Sequence, residues 1–168
     1  RARYKREMDQ YALLAWKCRV LLLAKERPPA GSFSRAAITN TWLRQLAQES
    51  RFEDGPRRAR EVLSQIGIPL IVEPHLQGTY LDGAALLLPD GTPVIGITLR
   101  YDRLDNFWFV LFHELIHVRE HLRKGKLENV FDDLESEPDE LEQEANEQAG
   151  DILIPESIWE TALARYLR

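Results

Sequence analysis

The sequence predicts an α+β domain: a small antiparallel sheet packed on one central helix that bears a His-Glu-x-x-His motif, with further helices ahead of it. Three observations predict it. Apolar residues recur at helical spacing through the first third of the chain. Three short β-prone runs follow between residues 68 and 99. Phe107 to Val118 then reads Phe-Trp-Phe-Val-Leu-Phe-His-Glu-Leu-Ile-His-Val, apolar nearly all round, which predicts a buried helix.

The elements follow in chain order. Tyr4, Met8, Tyr11, Leu14 or Ala15, Cys18 and Leu22 fall on one helical face, and the helix, expected over Tyr4 to Lys25, stops before Pro28-Pro29. A second helix is expected from near Thr41 to Ser50. The third starts with Asp54 as a candidate cap and Pro56 in its first turn, and stops at Gly67. Ile68 to Glu73, Ala84 to Leu88 and Val94 to Leu99 read as strands, the last two joined through Pro89-Asp90-Gly91-Thr92 as a hairpin and the first pairing with them antiparallel. The central helix is expected from Arg103 to Arg123, with Asp102 and Asp105 at its start, Gly125 as its stop, and Phe109, Phe112 and Ile116 in the core. An irregular acidic loop, a helix over Asp139 to Ile152 and a last helix from Pro155 to about Leu167 complete the chain.

In His113-Glu114-Leu115-Ile116-His117 the imidazoles are four residues apart, so on a helix both share one face. Both rings can then give a nitrogen to one Zn²⁺, and Glu114 can act as general base on a water that the zinc activates. Two histidines and a glutamate in an apolar helix are costly to desolvate without such compensation. The plainer alternative is a pair of core histidines satisfied by backbone carbonyls.

A third protein ligand is needed, with the fourth position left to water. His121 continues the series, but on a regular helix its ring is rotated roughly 80° from His113 and lies over about 10 Å along the axis, which suits a supporting or capping role. In the helix beyond the acidic loop, Glu142 shares a face with Asn146, Ala149 and Leu153, whereas Glu144 points roughly the opposite way. Glu142 is therefore the expected ligand and Glu144 the alternative. Tyr80 and Arg100 are candidates for holding a carbonyl oxygen beside the metal. His75 reads as an exposed loop residue.

Composition narrows the classes further. The chain has 168 residues and a net charge of −5. Residues 1–126 hold 20 Lys/Arg against 14 Asp/Glu, and residues 127–168 hold 2 against 13. Dispersed basic residues on the first helix (Arg1, Arg3, Lys5, Arg6, Lys17, Arg19) are the mark of a solvated face, which argues against direct nucleic-acid contact. One cysteine, Cys18, excludes an intrachain disulfide and a cysteine-rich zinc site and fits a reducing compartment, so a cytoplasmic location is expected. No stretch approaches a membrane span of about 20 apolar residues, and Tyr11 to Ala24 is broken by Lys17 and Arg19. Without a phosphate-binding glycine motif, nucleotide-dependent chemistry has no support.

His113 to His117 with His121, followed by Glu142-x-Glu144-Ala145-Asn146-x-x-Ala149 and Ile152-Leu153-Ile154-Pro155, resembles the ImmA/IrrE family of zinc metallo-endopeptidases over about residues 94–155. The resemblance implies a zincin-like α+β domain, with His113, His117 and Glu142 as zinc ligands and Glu114 as catalytic base. It implies a protein substrate too, a helix-turn-helix repressor. The segments from Thr79 to Ala84 and from Arg100 to Phe109 further resemble a subgroup that follows a HigA-like antitoxin's helix-turn-helix, so Arg1 would lie just past a DNA-binding neighbour. The chain departs from the family pattern at Ile116, where glycine is usual, and at Gln148 and Gly150. The expected division is an N-terminal helical region over 1–66 and a metallopeptidase domain over 67–168, joined in one compact unit. Three functions remain open: a zinc endopeptidase, a sensory or dimerisation domain of a HigA-like regulator with little turnover, and a structural protein with a coincidental motif.

Overall fold

The computed structural model describes residues 9–98, 100–122 and 139–166. Helix α1 spans Gln10–Glu26, and Asp9 caps it, its carboxylate accepting from the backbone N–H groups of Tyr11 and Ala12 at 3.0 and 3.1 Å. Residues 4–8 of the expected helix lie outside the described residues, and the described helix begins later than expected, at Gln10, because Asp9 is extended and caps it. After a 3₁₀ turn at Arg35–Ala37 come α2 (Asn40–Ala47), a second 3₁₀ turn (Gln48–Arg51) and α3 (Gly55–Gln65). Asp54 stands at the N-cap of α3 as expected. Its carboxylate is drawn instead to Arg57 and Arg58, at 2.7 Å each, and makes no capping bond.

Strands β1 (Leu70–Val72), β2 (Gly83–Leu87) and β3 (Pro93–Ile97) form one sheet in the order β1-β3-β2. The β2–β3 hairpin is antiparallel as expected, with Ala85 opposite Ile95. β1 departs from expectation, because it pairs with β3 and runs parallel to it, Ile71 facing Gly96. All five residues of β3 are buried. A strand covered on both faces belongs in the middle of a sheet, and β3 lies there, with β2 on one side and β1 on the other.

The sheet lies between two apolar layers. On one face, Val94 of β3 joins Trp16, Val20, Leu23 and Ala24 of α1. On the other, Ile95 and Ile97 join Leu43 and Leu46 of α2, Leu63 of α3, and Leu111, Phe112 and Leu115 of the central helix α4 (Leu104–Ile116). A Cβ on Gly96 would come within 2.8 Å of the Trp16 ring, so glycine lets α1 lie close on the central strand.

Phe112 and Ile116 are fully buried, as expected, but Phe109 is 38% exposed. It lies one turn before His113, on the face that α4 keeps open. The α-helical winding of α4 stops at Ile116, and His117–His121 continue as a π-helical turn rather than a regular helix to Arg123. The N–H of Leu122 donates to His117 O at 2.7 Å, five residues back. Gly125 and the acidic loop lie outside the described residues. α5 (Asp139–Leu153) packs against α4, and α6 (Glu156–Tyr166) ends the described chain. No described helix is long and apolar enough to cross a membrane.

Candidate metal centre

α4 is held in place by the burial of Leu111, Phe112, Leu115 and Ile116. Its remaining face carries Phe109, His113 and His117 at four-residue intervals, as the spacing requires. α5 crosses this face through Ala145 and Ala149, both fully buried. Such small residues let two helices approach closely, so larger side chains on both flanks of the α5 contact stripe can reach across. Glu142 and Asn146 lie on one flank, Glu144 and Gln148 on the other. Glu144 was expected to point away, yet both flanks reach α4 and its π-helical extension.

Three atoms converge. His113 Nε2 lies 2.9 Å from His117 Nε2, and the Glu142 carboxylate oxygens lie 3.1 Å from each of these nitrogens. Among the described residues these three side chains form a group that could hold a metal ion. Bonds of about 2.0–2.2 Å in a tetrahedron set the ligand atoms about 3.3–3.5 Å apart, so the observed separations are only a few tenths of an ångström short. The other ring nitrogens strengthen the fit. His113 Nδ1 lies 3.0 Å from Asn146 Oδ1, an acceptor, and His117 Nδ1 lies 2.9 Å from His121 Nδ1. With the ring hydrogens on Nδ1, both Nε2 atoms turn lone pairs toward a carboxylate, and three electron-rich atoms at this spacing call for a cation among them.

The electrostatics agree with a carboxylate ready to bind a cation. When the Nε2 atoms carry hydrogens instead, hydrogen bonding from His113 and then from His117 holds the Glu142 carboxyl well below its usual range. Burial alone would lower the His113 pKa, but Glu142, Glu114 and Asn146 outweigh it and raise it.

Glu114 is buried beneath β2. Desolvation pushes its carboxyl up to about 7, against the opposing pull of His113 and His117 and a backbone hydrogen bond from Ala85 of β2. A Cβ on Gly83 would lie 3.0 Å from Glu114 Oε1, so glycine at the start of β2 lets the strand close over the carboxylate. A carboxyl near neutrality, beside a cation site and shielded from solvent, has the properties of a general acid–base group.

The structure thus brings together His113, Glu114, His117 and Glu142, and places His121 beside His117 rather than among the converging atoms. Arg100 holds the segment just ahead of Gly83. It donates to the backbone carbonyl of Tyr80 at 2.8 Å, pairs with Asp82 at 3.5 Å, and lies over the rings of Tyr80 and Tyr101. His75 is exposed.

Sequence reasoning missed one residue here. The guanidinium of Arg35 donates to the carbonyls of Val118, Arg119 and Leu122, at the end of the motif helix. An arginine in a 3₁₀ turn more than 80 positions away carries no local signal of that contact.

Residues 65–168 match the model of the Peptidase_M78 family, described as the IrrE N-terminal-like domain. No curated protein matches the chain closely.

Proposed function

This chain belongs to the Peptidase_M78 family of IrrE N-terminal-like domains, and from that membership and the geometry of its site we propose that it is a zinc endopeptidase acting on a protein substrate, a helix-turn-helix repressor. The observation that carries the reading is the convergence of His113, His117 and Glu142 beside the buried carboxyl of Glu114. Zinc held by those three ligands would supply Lewis acidity to a water and to the scissile carbonyl. Glu114 takes the proton that the attacking water loses and returns it to the departing amide nitrogen, a role that suits a buried carboxyl set beside the ligand group.

β2 is an edge strand of the sheet and lies directly over Glu114. An extended segment of substrate can pair with that edge and so bring its backbone to the carboxylate. The substrate must therefore present an unfolded or extended linker, and cleavage is selective for chains that have one. The helices of residues 1–66 belong to the same working unit, because α2 and α3 share their core with α4.

The test is to incubate the zinc-loaded chain with candidate helix-turn-helix repressors and look for a single cut that chelation abolishes. Glu114→Gln should keep the zinc and lose about 10²-fold or more of the cleavage rate. Repressors left intact by zinc-loaded protein, or a Glu114→Gln variant that cleaves normally, would defeat the peptidase reading and favour a regulatory domain with little turnover.

A further inference from the structure

Each imidazole of the metal centre has a second nitrogen, and the two are treated differently. His113 Nδ1 meets the amide oxygen of Asn146. His117 Nδ1 meets a third imidazole, His121 Nδ1, at 2.9 Å, and His121 Nε2 lies 3.3 Å from Glu144 Oε2. Two ring nitrogens so close need one hydrogen between them. With the lone pair of His117 Nε2 given to a cation, that hydrogen sits on His117 Nδ1 and His121 accepts it. His121 then carries its own hydrogen on Nε2, where Glu144 receives it. One arrangement of hydrogens satisfies every contact in this chain of groups.

The contact falls within the π-helical turn, which sets how the two rings meet. Widening the bonding from i→i+4 to i→i+5 swings His121 round the axis by roughly a fifth of a turn relative to a continued α-helix. At the end of that turn Arg35 donates to the carbonyls of Val118, Arg119 and Leu122. A second line fixes the far end. Arg119 donates to Asn40 at 2.7 Å and to Gln148 at 2.5 Å, and Gln148 donates to Glu144 Oε1 at 2.9 Å. Arg35 and Asn40 both precede the residues that match the family.

We propose that His121 is a positioning residue of the metal centre, fixing the tautomer and orientation of His117, and that Arg35 holds the π-helical turn that places it. The inference rests on His113, His117 and Glu142 being the metal ligands. Outer partners of this kind typically change metal affinity by 10–100-fold.

Zinc affinity is measured on the full chain by competition with a chromophoric chelator, and the site's geometry by the visible spectrum of the cobalt(II)-loaded protein. His121→Asn keeps an acceptor oxygen near the position of Nδ1, whereas His121→Leu keeps similar bulk without it. The expected result is a loss of about 10–100-fold in zinc affinity and an altered cobalt spectrum for His121→Leu, with His121→Asn within severalfold of the native protein. Arg35→Met should weaken zinc by about tenfold while the chain stays folded. Equal affinities for the Asn and Leu variants, or a folded Arg35→Met variant with native affinity and spectrum, overturn the proposal. A measurement on the native protein does not depend on any variant folding: a long-range ¹H–¹⁵N spectrum of the zinc form should place the His117 hydrogen on Nδ1 and the His121 hydrogen on Nε2, and the opposite tautomer of His121 overturns it. A native chain that takes up no zinc removes the ligand reading and this inference together. Native uptake with an indifferent His121→Leu removes this inference alone.

Discussion

His117 offers Nε2 to the converging atoms and Nδ1 to His121, so replacing its ring removes both contacts at once. His117→Ala should abolish stoichiometric zinc. It should also abolish the stabilisation that zinc confers, since an ion that binds only the folded chain contributes about 2.7 kcal/mol at 100 times its Kd, or roughly 5–10 °C in Tm for a chain of this size. Metal analysis and melting with and without zinc check both; unchanged zinc content would refute the ligand assignment. The two glutamates of α5 separate by the same measurement. Glu142→Ala should lose the metal, whereas Glu144→Ala should keep one equivalent at excess zinc while binding it less tightly. The reverse outcome would exchange their roles. Helical spacing within each helix singled out the face of His113 and His117 and the face of Glu142 and Asn146, and the structure sets these side chains together. The position of Glu144 was not legible in the sequence, because the flank it occupies comes into reach only through the close approach at Ala145 and Ala149.

Among the elements, β2 and α4 meet at a contact with no room for a methyl group. A Cβ on Gly83 would lie 2.5 Å from Val110 Cγ1 and 3.0 Å from Glu114 Oε1. Gly83→Ala should therefore cost about 1–3 kcal/mol of stability and lower cleavage by moving the strand off Glu114, while leaving zinc content unchanged. A variant with native stability would show that the two elements are not in close contact. Gly150 is the counter-case. It sits within α5, where a Cβ would meet nothing within 4 Å, so Gly150→Ala should raise stability by about 0.5–1 kcal/mol, read from denaturant midpoints. The start of α3, the hairpin and its turn were legible, because Pro56 and Asp90-Gly91 act locally. The parallel pairing of β1 and the π-helical turn were not. The direction of β1 is set by how the chain returns to the far side of β3, and the turn by contacts with Arg35 more than 80 positions away, and neither leaves a mark in the residues concerned.

For the molecule as a whole, the family match begins at residue 65, yet the core that carries the site does not. Ile38, Leu43, Leu46, Ala59 and Leu63, all at most 3% exposed, lie in one apolar cluster with Leu111, Phe112, Leu115, Ile116 and Val118 of the motif helix and with Ala145 and Ala149 of α5. Removing residues 1–64 would expose the faces these five cover. At about 1.5–3 kcal/mol for each large apolar side chain buried, the four large ones represent about 6–12 kcal/mol, comparable with the roughly 5–15 kcal/mol by which whole domains are stable. The deletion would also release the three carbonyls that Arg35 engages, and with them the turn beside His117. A fragment of residues 65–168 should thus fail to unfold cooperatively. Its zinc affinity should fall well below that of the full chain, because a ligand set that is not held together must be ordered at the expense of binding. Melting curves by circular dichroism and chelator competition on the two chains decide the matter. A fragment that melts in one sharp transition and binds zinc as tightly as the full chain would show the helices ahead of the sheet to be dispensable, and the metal centre to be self-sufficient within the matched residues.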